Sequence, residues 1–396
     1  MEEKKTFRAR WVFPVGQPPL ENGVVEVQGD TITAVHNRPG PVTTDLGNVA
    51  LTPCFINCHA HLEFSALSKP LTPAQQFAEW IKALVGYRRG LNPQEVIQAI
   101  GQGIVESREA ASAVVGEIAT TDWPLASLPD RRPHLVVFRE ILARDPASIP
   151  EQMQRATRHL DLKGSLRETT FALSPHAPYS VHPDLIRGLV KLAGERNAPL
   201  AMHLAETKEE LELLTHGTGP LADMLRGFGV WNESFLPTGV RILEYLQTLR
   251  ELSHALVIHG NYLAPDELDL LVDNPQLTLI YCPRTHAFFG HKNHPWQRAL
   301  ERGGSVALGT DGRGSNPDLN LWGEVRYLRA NFPDVNPATL LELATHRGAR
   351  ALGLEAHYGS ITPGKRFAMT PHTINGSGTD PYDLLFGSTA NSQLLR

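Results

Sequence analysis

The sequence is poor in cysteine and lacks a long apolar run. Its 396 residues include three cysteines, Cys54, Cys58 and Cys282. An odd number cannot form a fully paired disulfide framework, so we interpret them as small buried residues in a reducing compartment. No apolar run approaches the roughly 20 residues that a transmembrane helix needs, and residues 1–5 are polar where the apolar core of a signal peptide would begin. We therefore expect a cytoplasmic protein.

Long basic runs are also missing, and the charge balance is mildly acidic. The formal net charge is −5, so we expect neither nucleic acid nor a membrane surface as a partner. Hydrophobic residues make up 41% of the chain, which allows a sizeable core and excludes general disorder. The length suits one large domain with an appendage, or two domains.

Both ends of the chain are rich in short β patterns. Residues 9–13, 23–28 and 31–36 alternate like strands, and Gly29-Asp30 is a hairpin signal. After residue 354 the chain becomes turn-rich and β-like again. We predict that residues 1–52 and 355–396 form one composite β-sandwich domain.

Residues 53–354 alternate short apolar runs with longer amphipathic ones. Eight such runs separated by helical patterns predict an α/β fold, a (β/α)8 TIM barrel. A long link at 224–250, within the wider insertion 215–250, follows the fifth strand and could be a lid, a wall or a plain insertion. The predicted strands are 55–58, 113–118, 135–138, 170–173, 200–203, 256–259, 277–281 and 305–308.

Histidines and carboxylates follow the ends of these strands. His59 and His61 stand at i and i+2, so on an extended strand both side chains point to one face. Catalytic groups of barrel enzymes lie at the carboxyl ends of the strands. Three histidines and one aspartate would suit Zn²⁺ or Fe²⁺ and leave room for water. The later strand-end residues are His176, His203, Glu206, His259 and Asp311.

These residues lie in motifs that resemble the amidohydrolase superfamily, in the branch of cytosine and guanine deaminases and triazine hydrolases. The motifs are TPCFINCHAHLEFS, SPHAPYS, MHLAET, VIHGNYL, CPRTHAFFGH and ALGTDGRGSN. The resemblance implies a hydrolase of non-peptide C–N bonds, in which metal-activated water attacks the amino-bearing ring carbon and ammonia leaves. It implies that Glu206 shuttles protons and that His259 orients the water. The implied metal ligands are His59, His61, His203 and Asp311.

The number of metal ions can be argued from the fourth strand. Two-metal relatives bridge their ions with a modified lysine at the end of that strand, whereas Lys163 here precedes it. Glu117 or Glu140 could bridge instead, although we prefer a structural role for both. We predict one divalent metal, with zinc preferred over iron.

Substrate-facing candidates follow the first, fourth and seventh strands. Aromatic side chains there could stack on a flat ring, and an arginine could meet an anion. Loop packing is the alternative for each of them. The family usually has glycine at Cys54, serine at Gly312 and asparagine at His286, and the last departure leaves the substrate open. The candidates are Glu63, Phe64, His176, Tyr179, Arg284, His286 and Phe289.

A closer resemblance rests on HLEFS together with CPRTHAFFGH, which are similar to the motifs of aminodeoxyfutalosine deaminases of menaquinone biosynthesis. It implies hydrolytic deamination of that adenine-type nucleoside, a small-molecule substrate. The alternatives are another amidohydrolase-type hydrolase, such as a guanine, cytosine or adenosine-like deaminase or a triazine chlorohydrolase, and a catalytically silent scaffold. A homodimer is allowed for.

Overall fold

The computed structural model describes residues 4–123, 128–231, 238–376, 378–390 and 395. The chain begins with five short strands before the barrel. A β-bulge lies between Glu26 and Val27, where the second strand pairs with the third. These strands are β1 (Lys4–Val12), β2 (Leu20–Gln28), β3 (Thr31–His36), β4 (Thr44–Asp45) and β5 (Val49–Pro53).

Eight parallel strands form the second sheet, and their order in the sheet follows their order in the chain. This order, with helices between most of the strands, is that of a (β/α)8 barrel and confirms the predicted fold. The strands are β6 (Phe55–Ala60), β7 (Ser112–Ala119), β8 (His134–Ile141), β9 (Thr169–Pro175), β10 (Leu200–Leu204), β11 (Ala255–His259), β12 (Leu277–Tyr281) and β13 (Ser305–Leu308).

The helices pack around the outside of the barrel and extend its carboxyl end. Several begin with a side chain that accepts a backbone N–H, as Asn92 does for Gln94 and Glu95. The helices are α1 (Phe77–Gly90), α2 (Pro93–Glu109), α3 (Ile149–Leu160), α4 (Pro183–Arg196), α5 (Lys208–His216), α6 (Pro220–Gly227), α7 (Ile242–Leu249), α8 (Pro265–Asp273), α9 (Pro283–Phe288), α10 (Trp296–Glu301), α11 (Leu321–Asn331), α12 (Pro337–Leu343), α13 (His346–Ala351) and α14 (Pro381–Phe386).

Alternation along the strands divides the core into two parts. Ile56 and Cys58 of β6 belong to a cluster that takes residues from every barrel strand, and this cluster fills the barrel. Phe55 belongs to the larger cluster between the strands and the surrounding helices. Because both faces of the strands are buried, they appear in the sequence as continuous apolar runs.

The terminal strands form one mixed sheet, which confirms that both ends of the chain build the appendage. β14 (Met369–Thr373) pairs with β5, and β15 (Thr389–Ala390) pairs with β14. Phe7 and Phe367 stack within its core at 5.0 Å between ring centroids. The sheet adjoins the first barrel strand, since β5 ends at Pro53 and β6 begins at Phe55.

The long link after the fifth barrel strand contains α6 and α7, while residues 232–237 lie outside the described residues. The three cysteines are buried, as expected, and no disulfide joins them. None of the described helices has the length and hydropathy of a membrane span.

Candidate active site

Four side chains meet at the carboxyl end of the barrel. The ring centroids of His59 and His61 are 4.9 Å apart, and that of His203 lies 5.0 Å from that of His59. Oδ1 of Asp311 is 3.4 Å from Nε2 of His59 and 3.6 Å from Nε2 of His61. Ligand nitrogens of the three histidines lie within 4.8 Å of one another. The structure thus brings together the four residues that the sequence motifs single out.

The seam between the last and first barrel strands places Asp311 in this group. The backbone N–H groups of Thr310 and Asp311 both donate to the carbonyl oxygen of His59, at 3.1 and 3.0 Å. A Cβ atom on Gly309 would lie 2.7 Å from Cβ of His59, so the two strands can approach this closely only with glycine at that position. The contacts that close the barrel therefore also bring Asp311 next to His59.

Three residues at strand ends adopt a left-handed backbone. Ala205, His259 and Asp311 have φ of 51°, 65° and 61°. This conformation costs non-glycine residues about 1–2 kcal/mol, and such strain clusters at functional sites. Hydrogen bonds hold it in place: the N–H of Gly260 donates to the carbonyl oxygen of Leu204 at 3.0 Å. Nε2 of His294 lies 2.8 Å from the carbonyl oxygen of His259.

The imidazoles of His61 and His203 are suited to bind a cation because burial favours their neutral form. Burial, followed by the charge of His59, lowers the pKa of His61 to about 3. Burial also lowers the pKa of His203 well below its usual value. Both ring nitrogens of His59 and Nδ1 of His61 are buried without a hydrogen-bond partner among the described residues. A metal ion would satisfy such orphaned nitrogens.

Asp311 supplies the anionic ligand. Burial by itself would raise the pKa of Asp311, but the neighbouring imidazoles of His59, at 3.4 Å, and His61, at 3.6 Å, lower it below its usual value. The hydroxyl of Ser315 donates to Oδ2 of Asp311 at 2.5 Å. The carboxylate therefore stays ionised, and its second oxygen is fixed by a hydrogen bond.

Glu206 lies beside this group with the opposite protonation tendency. Burial, then the charges of Asp311 and Glu210, raises the pKa of Glu206 well above its usual value. Its Oε1 lies 3.5 Å from Nε2 of His259. The Glu206 backbone N–H donates to Glu210 at 2.7 Å, and its carbonyl accepts from Asn261 at 2.9 Å. A rigidly held carboxyl that can carry a proton is what general acid–base chemistry needs.

A second group of possible metal ligands consists of Glu140, His176 and His203, also within 4.8 Å. Both groups need His203. Nδ1 of His203 lies 3.1 Å from the carbonyl oxygen of His176 and must donate to it, which leaves the lone pair on Nε2. One lone pair binds one ion, so His203 can serve only one of the two groups. The other bridging candidate, Glu117, accepts a hydrogen bond from the N–H of Leu62 at 2.8 Å.

A cavity of about 320 Å³ opens over the cluster. Its floor includes Glu206, His259 and Asp311, and one wall is apolar. Leu142 and Val230 border it. They are 47% and 40% exposed, and they are the two large hydrophobic side chains that are exposed within the described ranges. Helix α1, the segment after β8 and the link after α5 contribute the apolar wall: Ile81, Leu84, Val85, Leu142, Met224, Leu225, Phe228 and Val230.

Sequence comparison agrees with this arrangement, since the profile of the amidohydrolase family matches residues 50–379. The chain belongs to this family. An aminodeoxyfutalosine deaminase of Deinococcus radiodurans is 27% identical over 350 residues, which cover 84% of this chain and 81% of that one. A 5-methylthioadenosine/S-adenosylhomocysteine deaminase of Pyrococcus abyssi is 25% identical over 367 residues, with 85% and 78% covered.

The fold is also that of solved structures. The crystal structure of Helicobacter pylori aminofutalosine deaminase in complex with methylthio-coformycin has a TM-score of 0.85 to this amidohydrolase, with 24% identity and 98% of each chain covered. This likeness shows the fold, including the terminal sheet beside the barrel.

Four of the predicted substrate-facing residues line the cavity, namely Glu63, Phe64, His176 and Tyr179. Three others, Arg284, His286 and Phe289, do not line it. The reason is that α9 starts directly after β12 and turns this segment against neighbouring elements. His286 packs against Tyr281, and Phe289 contacts the ring of Trp80 at 5.0 Å.

Arg284 has its own structural partners, which corrects its prediction as an anion-binding residue. Its Nε donates to Oε1 of Glu324 at 2.6 Å, and Nη2 donates to Oδ1 of Asp318 at 2.7 Å. Its backbone N–H donates to Glu324 as well, at 2.8 Å. Glu324 is completely buried, so the guanidinium is committed to a structural ion pair.

Sequence reasoning missed the three arginines that do line the cavity, Arg88, Arg89 and Arg144. Arg88 donates through Nε to Glu63 at 3.1 Å. Arg144 donates to the carbonyl oxygen of Tyr179 at 3.3 Å and pairs with no carboxylate in the part of the chain that the structure describes. The position of Arg144, three residues after a barrel strand, was the available signal.

Proposed function

We propose that this amidohydrolase is a metal-dependent deaminase of an adenine-type nucleoside and that aminodeoxyfutalosine is its substrate. The observation that carries the proposal is one cavity that combines three functions. It joins a histidine–aspartate cluster, a protonatable Glu206 and an apolar wall with an arginine that lacks a carboxylate partner among the described residues.

The cluster fits one divalent metal ion held by His59, His61, His203 and Asp311. Nitrogen and carboxylate ligands favour zinc over iron when no redox chemistry is needed. When bound, such an ion would lower the pKa of a water molecule and provide a nucleophile near neutral pH. The single available lone pair of His203 supports one ion rather than two.

The protein groups around the ion account for the proton transfers. Glu206 takes a proton from the attacking water and delivers it to a ring nitrogen as the amino-bearing carbon becomes tetrahedral. His259, 3.5 Å from Glu206, orients the water by a hydrogen bond, as does the ionised Asp311. The remaining proton of the added hydroxyl passes to the amino group, which leaves as ammonia, and the product is the oxo-purine nucleoside.

The remainder of the cavity supports a large substrate with an apolar, anionic end. Aminodeoxyfutalosine carries a benzoate beyond its sugar, whereas adenosine ends in a hydroxyl. The flat ring suits the apolar wall, and Arg144 is placed to pair with the carboxylate through a bidentate contact. Arg144 is half-buried, and burial lowers its pKa because it disfavours the charged form. An anionic ligand would stabilise that charge. His176 and Tyr179 flank the same space.

Two alternatives remain for the test to decide. A hydrolase of the same branch could displace chloride from a triazine or deaminate guanine, cytosine or adenosine. A silent scaffold would need a defective centre, and the complete ligand set together with Glu206 opposes that. We also propose that the enzyme is cytoplasmic. A homodimer is compatible with the proposed function.

The deciding experiment measures ammonia release by zinc-loaded protein. We expect kcat/KM for aminodeoxyfutalosine to exceed that for adenosine, and Arg144→Ala to reduce the former about 10-fold to 100-fold, since a lost charged hydrogen bond is worth about 1.5–3 kcal/mol. Arg298→Ala, at an exposed position, is the matched control. Equal efficiency for the two nucleosides would refute the substrate. Release of chloride but no ammonia would favour the triazine alternative.

A further inference from the structure

Three acidic side chains, Glu63, Glu117 and Glu140, lie buried near the cavity, and they differ in how they are satisfied. Glu63 accepts at Oε2 from Arg88 at 3.1 Å and from Thr120 at 2.8 Å, while its Oε1 has no hydrogen-bond partner among the described residues. Glu117 accepts from the backbone of Leu62. For Glu140, no hydrogen bond to the carboxylate comes from any residue that the structure describes.

The imidazole of His176 does not form a hydrogen bond with Glu140. Nε2 of His176 lies 4.0 Å from Oε1 of Glu140, which is too long for a hydrogen bond. Nδ1 of His176 is instead held by Ser180 at 2.6 Å, so the imidazole is fixed in place. The Glu140 side chain is 6% exposed, yet it borders the cavity. Leaving a buried carboxylate unpaired is costly, which points to a partner supplied by the ligand.

We infer that Glu140 is a specificity-determining residue that accepts hydrogen bonds from the sugar hydroxyls of the nucleoside. Burial raises the pKa of the Glu140 carboxyl to about 7, so the ionised form is present near neutral pH, and that form accepts hydrogen bonds from donors on a ligand. A cationic donor is disfavoured because the guanidinium of Arg88 borders the same cavity. The amino group of the ring is engaged at the metal cluster. The next donors along a nucleoside are the 2′ and 3′ hydroxyls, whose spacing matches the two oxygens of a carboxylate.

The position of Glu140 in the fold suits this role. It is the last residue but one of β8, beside the β9 end that presents His176, and Ser174 of β9 is its register partner. Glu140 therefore lies next to the histidine–aspartate cluster but does not belong to it, because His203 has a single free lone pair. The inference rests on the proposed deaminase function and names the ligand class more narrowly, as ribonucleosides rather than free bases or deoxynucleosides.

The test compares 5′-methylthioadenosine with its 2′-deoxy and 3′-deoxy analogues in wild type and Glu140→Gln, both zinc-loaded. We expect the variant to lose about 10-fold to 100-fold in kcat/KM for the ribonucleoside, as for a hydrogen bond to a charged group. On the analogue that lacks the contacted hydroxyl, kcat/KM of Glu140→Gln should be close to that of wild type on the same analogue. Metal content should remain that of wild type. Glu109→Gln, with a side chain 61% exposed, is the matched control.

An equal loss on all three nucleosides would overturn the inference in favour of a general electrostatic or structural role. A lower metal content in Glu140→Gln would overturn it in favour of a metal ligand. To separate this from the deaminase proposal, the same comparison is made as Kd in a Glu206→Gln background, where no turnover is needed. Hydroxyl-selective binding without ammonia release by wild type would refute the reaction alone, whereas ammonia release with no hydroxyl selectivity would refute the role of Glu140 alone.

Discussion

At the scale of single residues, the proposed role of Glu206 as the proton shuttle can be tested directly. Burial keeps a proton on this carboxyl at pH values where an exposed glutamate has lost it. We expect Glu206→Gln to keep its fold and its metal and to lose turnover by about 10²–10⁴-fold, because the proton shuttle is gone. Ammonia assays with elemental analysis of the same sample measure both. Glu195→Gln, 59% exposed, should behave as wild type. Near-normal turnover of Glu206→Gln would remove it from the mechanism.

The metal cluster permits a second residue-scale prediction. His61→Ala should lose most of its bound metal and its activity together, because an imidazole at the centre of the group is removed. Wild type should hold one equivalent per chain by elemental analysis. His216→Ala, an exposed histidine, should keep both metal and activity. Two equivalents in fully active wild-type enzyme would contradict the one-ion centre and assign the second group to metal.

At the scale of secondary-structure elements, Arg284 joins α9 to α11. It binds Glu324 of α11, which is completely buried, and Asp318 in the preceding loop. Arg284→Ala should destabilise the protein by about 3–5 kcal/mol, because it leaves a buried carboxylate uncompensated. Urea unfolding measures this change.

A companion variant separates charge loss from lost packing in this ion pair. Arg284→Met with Glu324→Gln removes both charges and should recover much of the stability. The preference for aminodeoxyfutalosine over adenosine should persist in Arg284→Ala, in contrast to Arg144→Ala. A selective loss of that preference in Arg284→Ala would return Arg284 to the substrate site.

At the scale of the whole molecule, buried neutral histidines make stability depend on pH. Burial lowers the pKa of His372, in the terminal sheet, to about 3, whereas an unfolded chain has a pKa of about 6.5. Between these values the unfolded state binds the proton, so stability present above pH 6.5 falls as the pH is lowered. From pH 7 to 5, His372 should account for about 2 kcal/mol of loss.

The measurement is urea unfolding at pH 7 and pH 5 for wild type and His372→Gln. The variant is expected to be weaker at both pH values, since the contact with Thr52 at 2.9 Å is lost. The decrease in its free energy of unfolding from pH 7 to pH 5 should nevertheless be smaller than that of wild type by about 2 kcal/mol. His216→Ala, where the imidazole is exposed, should leave the decrease unchanged. An unaltered decrease in His372→Gln would show that this residue is not responsible.

Much of the architecture could be predicted from the sequence, because barrel strands are buried on both faces and appear as continuous apolar runs. The predicted strands 277–281 and 305–308 match β12 and β13 residue for residue. Others extend further: β8 runs to Ile141, which places Glu140 in the strand rather than beyond it. Strand ends are hard to place from sequence because polar residues that belong to a site interrupt the apolar pattern.

The sequence by itself determined the barrel, the terminal sheet and the histidine–aspartate cluster, because strand order places successive strand ends at one rim and the motifs mark their residues. Only the tertiary structure decided which neighbouring side chains face the substrate cavity. Arg284 and Arg144 look alike in sequence, each following a barrel strand. Buried Glu324 neutralises the first, whereas the second is left beside the cavity without a carboxylate partner in the described chain. Pairing of charges depends on contacts distant in sequence, and local pattern cannot report it.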